Sequence, residues 1–138
     1  MLLVLQLLNL LEGEGEADDT TPDQFTFVDQ TAVAVETEIT SAAITVSGID
    51  AASAITVSGG TYDINGSGTF TSDAGTVNNS DTVRARHTSS ASYLTATNTI
   101  VTIGGVSDTF TSTTRAEPAG EAGGVGAPTR MGGMMIFG

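Results

Sequence analysis

Ile55-Thr-Val-Ser-Gly-Gly-Thr-Tyr-Asp-Ile-Asn-Gly-Ser-Gly-Thr-Phe70 carries the pattern on which the fold turns. Ile55 and Val57 alternate with polar neighbours and stop at Ser58-Gly59-Gly60, the signature of a short strand closed by a turn. Tyr62 and Ile64 repeat the alternation and run into Asn65-Gly66-Ser67-Gly68, a hairpin signal, after which Phe70 returns. The period is two, and the punctuation is glycine and asparagine. This stretch is β-structure.

The same grammar extends in both directions. Phe25 and Phe27 share one face of a first expected strand, and Val33, Val35 and Ile39 alternate with Ala34 and Glu36. Ile44 and Val46 precede Ser47-Gly48. Asn78-Asn79-Ser80-Asp81 turns the chain into a strand whose Val83, Ala85 and His87 face one way while Arg84 and Arg86 face the other. Val101 and Ile103 lead to Gly104-Gly105, and Phe110 lies in the last strand. About seven short strands at this spacing predict an all-β, immunoglobulin-like sandwich over residues 22–115. Tyr93 is a candidate tyrosine corner, with plain packing as its other role.

Two flanking segments differ in character. Residues 1–21 comprise an apolar arm and an acidic linker, and residues 116–138 a Gly-rich arm with an apolar tip, each expected to be extended or short-helical. Leu2, Leu3, Leu5, Leu7, Leu8, Leu10 and Leu11 make the first arm apolar on every side. It is shorter than the ~20 residues a membrane span needs. It lacks the basic start and small-residue cleavage site of a secretory signal, which remains the other reading of the segment. Met131, Met134, Met135, Ile136 and Phe137 form the second apolar tip, on a Gly-rich tether. Water penalises such ends, so both arms are expected to dock on neighbouring subunits, which makes these twelve residues the candidate partner contacts.

The 138 residues carry 16 acidic side chains against 4 Arg and no Lys, a net charge of -12. Between Glu12 and Asp50 every ionised side chain is acidic, and the first basic residue is Arg84. Such a balance argues against nucleic acid and against anionic membrane surfaces as partners. Without Cys there is no disulfide, thiolate metal site or Cys nucleophile, and without Lys there is no Walker loop. The single His87 is expected to be a half-buried sheet residue, lacking an evident triad. Asp63-Ile-Asn-Gly-Ser-Gly68 opens like a calcium loop, but Ala74 stands where a bidentate Glu is needed, so the hairpin reading is preferred. Glu12, Glu14, Glu16, Asp18 and Asp19 are spaced too loosely for a preformed cation site. No catalytic, cofactor or metal residue is assigned, and no enzymatic activity is expected.

Asp23-Gln-Phe-Thr-Phe-Val-Asp-Gln-Thr31, Ile44-Thr-Val-Ser-Gly-Ile-Asp50, Ile55-Thr-Val-Ser-Gly-Gly-Thr-Tyr-Asp-Ile-Asn-Gly66, Gly75-Thr-Val-Asn-Asn-Ser-Asp-Thr-Val-Arg-Ala-Arg86 and Ile103-Gly-Gly-Val-Ser-Asp-Thr-Phe110 occur in that order. Together they resemble a recurrent bacterial and bacteriophage immunoglobulin-like module found in surface proteins and phage structural proteins. The resemblance covers residues 22–114 and implies display or adhesion, with no catalytic residues to carry over. One copy of the module with two apolar arms favours a virion protein: a capsid decoration or cement protein, or a tail or fibre component. Its partners would be other virion proteins and further copies of itself, with a host-surface glycan as a further possibility. The alternative is an exported cell-surface or secreted adhesin or carbohydrate-binding module, contacting glycans through Thr/Ser faces or loops near Tyr62 and Tyr93.

Overall fold

Alternating burial drives the chain into nine short strands, as seen in a computed structural model that describes residues 16–119. They are β1 (Gln30–Val33), β2 (Glu38–Thr40), β3 (Ile44–Thr45), β4 (Ser53–Ser58), β5 (Thr61–Ile64), β6 (Gly75–Val77), β7 (Thr82–Thr88), β8 (Ala96–Ile103) and β9 (Val106–Thr114). One sheet has five strands in the order β1-β9-β8-β4-β6, with β1 parallel to β9 and the other pairs antiparallel. In the second sheet β7 is flanked by β2 and β3 on one side and pairs with β5 as well. The protein is an all-β, two-sheet sandwich. The twelve apolar arm residues, from Leu2 to Phe137, lie outside the described residues.

Two expectations are corrected. The count of about seven strands rises to nine, partly because the run expected from Val33 to Ile39 is split into β1 and β2 by a turn at Val35-Glu36, where Glu36 has φ of +49°. Ser41 separates β2 from β3: its hydroxyl accepts the Ala85 amide at 2.9 Å and donates to the Ala42 carbonyl at 2.8 Å. A side chain thereby takes a place in the ladder that a backbone carbonyl would otherwise hold. Phe25 and Phe27, expected in a first strand, lie in no strand, although both are buried. Their segment is tied down by single bonds instead, from Asp23 N to the Ser47 carbonyl (2.8 Å) and from Phe27 N to the Asp108 carboxylate (2.7 Å). Packing extends back to Asp19, whose carbonyl accepts from the Asp50 amide at 3.0 Å.

The core lies between the sheets. Ile55, Val77, Val101, Ile103 and Phe110 from the five-stranded sheet meet Ile39, Ile44, Tyr62, Val83 and Ala85 from the other. Phe27 bridges to Phe110 edge-on, with centroids 6.4 Å apart, and Phe25 packs edge-on against Phe27 at 6.0 Å. Each large side chain buried in this way contributes about 1.5–3 kcal/mol. In β7 the expected phase holds: Val83, Ala85 and His87 point inward, and Arg84 and Arg86 outward.

The β8–β9 hairpin fixes the long axis. Ile103 pairs with Val106 at one end and Ala96 with Thr113 at the other, so the eight residues of β8 separate the two poles by about 25 Å. Gly104 and Gly105 make the turn with φ of +56° and +88°, values suited to a two-residue hairpin. Thr20 and Pro22 press on Gly104 so closely that a Cβ there would collide with the Thr20 carbonyl. At the far pole, Leu94 N donates to the Arg115 carbonyl at 3.1 Å as the chain leaves β9.

Candidate functional site

β7 supplies both the buried and the exposed chemistry of this molecule, because it is the strand at the centre of the second sheet. Inward, His87 is 7% exposed and stacks on Phe110 with centroids 5.0 Å apart and planes 27° off parallel. Its Nδ1 lies 2.7 Å from Thr99 Oγ1 and its Nε2 lies 2.7 Å from Ser112 Oγ. Thr99 also donates to the Gly59 carbonyl at 3.1 Å, which commits its only proton. Nδ1 therefore carries the imidazole proton and donates to Thr99, while Ser112 donates to Nε2. Every polar atom of the cluster is satisfied by the neutral ring.

Burial pushes the His87 pKa below its ordinary value near 6.5. The grouping of serine, histidine and threonine has the connectivity of a nucleophile, base and orienting group. It lacks the access. Ser112 and Thr99 have no solvent exposure, so no substrate carbonyl reaches Ser112 Oγ while the sheets are together. The cluster pins one sheet to the other. The expected half-buried His87 is thus corrected to a buried one that keeps only a small exposure. Its partners were missed, although the inward phase of β8 and β9 could have named Thr99 and Ser112 as core hydroxyls.

Outward, Arg84 forms a two-pronged pair with Asp63, with Nε to Oδ1 at 3.0 Å and Nη2 to Oδ2 at 2.5 Å. Asp63 is 1% exposed and also accepts from Gly68 N at 3.0 Å. Burial alone would raise its pKa. The Arg84 hydrogen bond, the Gly68 amide and the charges of Arg84 and Arg86 outweigh burial and hold it below the usual carboxylate range. The motif that opened like a calcium loop is a hairpin, closed from Ser67 N to the Ile64 carbonyl and by paired bonds between Tyr62 and Thr71. Among the described residues, no three acidic or histidine side chains gather as a metal site.

Arg86 lies over Phe70, its guanidinium carbon 3.8 Å from the ring centroid, and reaches Glu38 Oε1 at 3.3 Å. Arg86 and Glu38 border an open groove of about 490 Å³ lined also by Gly59, Gly60, Thr61, Ser72, His87, Thr88 and Thr97. Hydroxyls, one acid and one base converge there, a lining suited to an uncharged polyhydroxyl ligand. Tyr62, expected near a glycan contact, is 2% exposed and unavailable for one; its hydroxyl donates to the Asp73 carbonyl at 3.0 Å. Tyr93, the candidate tyrosine corner, is half-buried, and its carbonyl accepts from Thr95 Oγ1 at 2.9 Å. Compared with protein-family models, with curated proteins and with solved structures, the chain matches none.

Proposed function

We propose that this chain is a non-enzymatic structural subunit of a bacteriophage virion, acting by contact and surface display. The observation that carries the proposal is the separation of its two exits. Thr20 abuts the Gly104 turn at one pole, and Arg115 leaves beside Leu94 at the other. The segments bearing Leu2–Leu11 and Met131–Phe137 therefore join a self-sufficient sandwich at opposite ends. A subunit gripping one neighbour at each end needs this arrangement, and head-to-tail contacts of that kind build rings or filaments. The parallel β1–β9 edge is compatible with the immunoglobulin-like module that the sequence phrases resemble.

Deletion of residues 131–138 is the direct test. The truncated chain is expected to keep its melting transition and to lose incorporation into particles. Normal incorporation would overturn the proposal.

The alternative is an exported cell-surface or secreted adhesin, and the Glu38–Arg86 groove is what favours it. On that reading, Arg86→Ala abolishes binding on a glycan array without unfolding the domain. An array without any binding by the parent chain removes this alternative.

A further inference from the structure

The outer surface of the five-stranded sheet differs from the rest of this acidic molecule. Inward positions of β4, β8 and β9 are buried, so the alternate positions face out, and none of them in β4, β6, β8 or β9 is Asp, Glu or Arg. Across the sheet, Thr56, Thr102 and Ser107 form one rank, and Ser58, Ile100 and Thr109 the next. Asp108, the one charged residue in these strands, is on the opposite phase and is bonded to Phe27 N. The net charge is -12, yet the outward positions of these four strands carry none of it; the nearest exposed acid, Asp29, lies beside β9 and accepts from Thr111 N at 2.8 Å.

β8 is the middle strand of the five, and Ile100 lies midway along it. Ile100 is 42% exposed, one of three large exposed apolar side chains among the described residues. It therefore stands near the centre of these uncharged positions. The other two, Val28 and Leu94, lie outside these strands.

We propose that this face is a homodimer interface, with the five-stranded sheets of two copies stacked across a two-fold axis near Ile100. A second copy is the occupant that fits. Two copies this acidic repel each other through most orientations, and uncharged outward positions are where they can approach without pairing like charges. A two-fold contact also requires a self-complementary surface, which a flat array of threonine and serine around one apolar side chain provides. The five strands, three to nine residues long and spaced ~4.8 Å apart, span on the order of 475 Å² per copy. About 950 Å² in total lies in the range of weak, transient interfaces, so the dimer should dissociate on dilution. The proposal does not depend on the arms.

Because the chain has no Cys, one introduced thiol reports the contact cleanly. Ile100→Cys in the full chain should oxidise rapidly to a covalent species of twice 13.9 kDa, whereas Ser72→Cys, exposed beyond the other sheet, should not. Equal rates for the two, or no covalent dimer from Ile100→Cys, would overturn the proposal. The paired variant Thr109→Glu/Thr111→Glu should keep the parent's circular dichroism and lose its concentration-dependent mass increase in sedimentation. Should that increase survive in the folded variant, the face is not the interface. Deleting residues 131–138 should leave Ile100→Cys cross-linking intact, so a failure of the arm proposal is separable from a failure here.

Discussion

His87 Nε2 and Ser112 Oγ, on opposite sheets, meet at 2.7 Å in a pocket where the serine has no exposure to solvent. Burial disfavours the charged ring there, and the neutral imidazole completes its hydrogen bonds with the two hydroxyls. Folding therefore opposes protonation of this histidine, and stability is linked to pH.

The sign follows from the lowered pKa of His87. Above about pH 6.5 both folded and unfolded chains hold a neutral imidazole, and the contribution is fully present. As pH falls below that value the unfolded chain takes up the proton first. Stability should then drop by up to about 1.4 kcal/mol per pH unit until the folded histidine titrates as well. Urea denaturation at pH 7 and at pH 5.5 checks this, with His87→Gln as the variant that removes the difference. Identical midpoints for the parent chain at the two values would contradict it.

Removing partners of the imidazole should cost different amounts. Ser112→Ala leaves Nε2 without a donor and should cost about 1–2 kcal/mol. Thr99→Val strands both the Nδ1 proton and the Gly59 carbonyl, and should cost more, about 2–3 kcal/mol. The double variant should fall short of the sum, because both act through one ring. Chemical denaturation of the four chains measures the coupling; strict additivity would show the hydroxyls to be independent.

Much of this fold was legible in the residues, and the parts that were not share a cause. β7 and the Gly104-Gly105 hairpin were readable because alternation and turn chemistry are local. The phase of Phe25 and Phe27 correctly gave a buried face. Whether that segment joins a ladder depends on a free neighbouring edge, and the bonds of Phe27 and Asp23 to Asp108 and Ser47 are not encoded nearby. The run expected from Val33 to Ile39 was broken in two at Glu36, whose N–H bonds the distant Ser90 carbonyl. His87 was visible as a sheet residue, while Thr99 and Ser112 became its partners only when the two sheets closed. Groups acting across the sandwich are the ones that period and composition do not reveal.

Asp63 and Arg84 give a second pH response, lower on the scale. Asp63 has a lowered pKa, so its contribution is present above the ordinary carboxylate value of about 3.9 and is lost as pH falls through and below it. Arg84→Met removes the two-pronged partner while preserving much of the aliphatic stem. The Asp63 titration should then move upward, and acid unfolding should begin at a higher pH. Carboxyl NMR titration of the parent and the variant reads the shift directly. An unmoved Asp63 would mean that Gly68 N and Arg86 suffice to hold it.

The two turn glycines should not be equivalent. Both have positive φ, so alanine at either position is strained by about 1 kcal/mol. A Cβ at Gly105 meets nothing within 4 Å, and Gly105→Ala should cost no more than that strain. At Gly104 the added carbon runs into the Thr20 carbonyl, Ser53 Oγ and Pro22 Cδ. The Thr20 carbonyl also accepts from Ser53 Oγ at 2.6 Å, so the backbone cannot retreat without breaking that bond. Gly104→Ala should therefore cost roughly 2–4 kcal/mol and loosen residues 19–22 from the hairpin. Thermal denaturation ranks the two variants, and amide exchange at Asp50 and Ala51, whose N–H groups bond the Asp19 carbonyl, reports the loosening. Equal melting points for the two alanine variants would mean that the chain before β1 does not brace the turn.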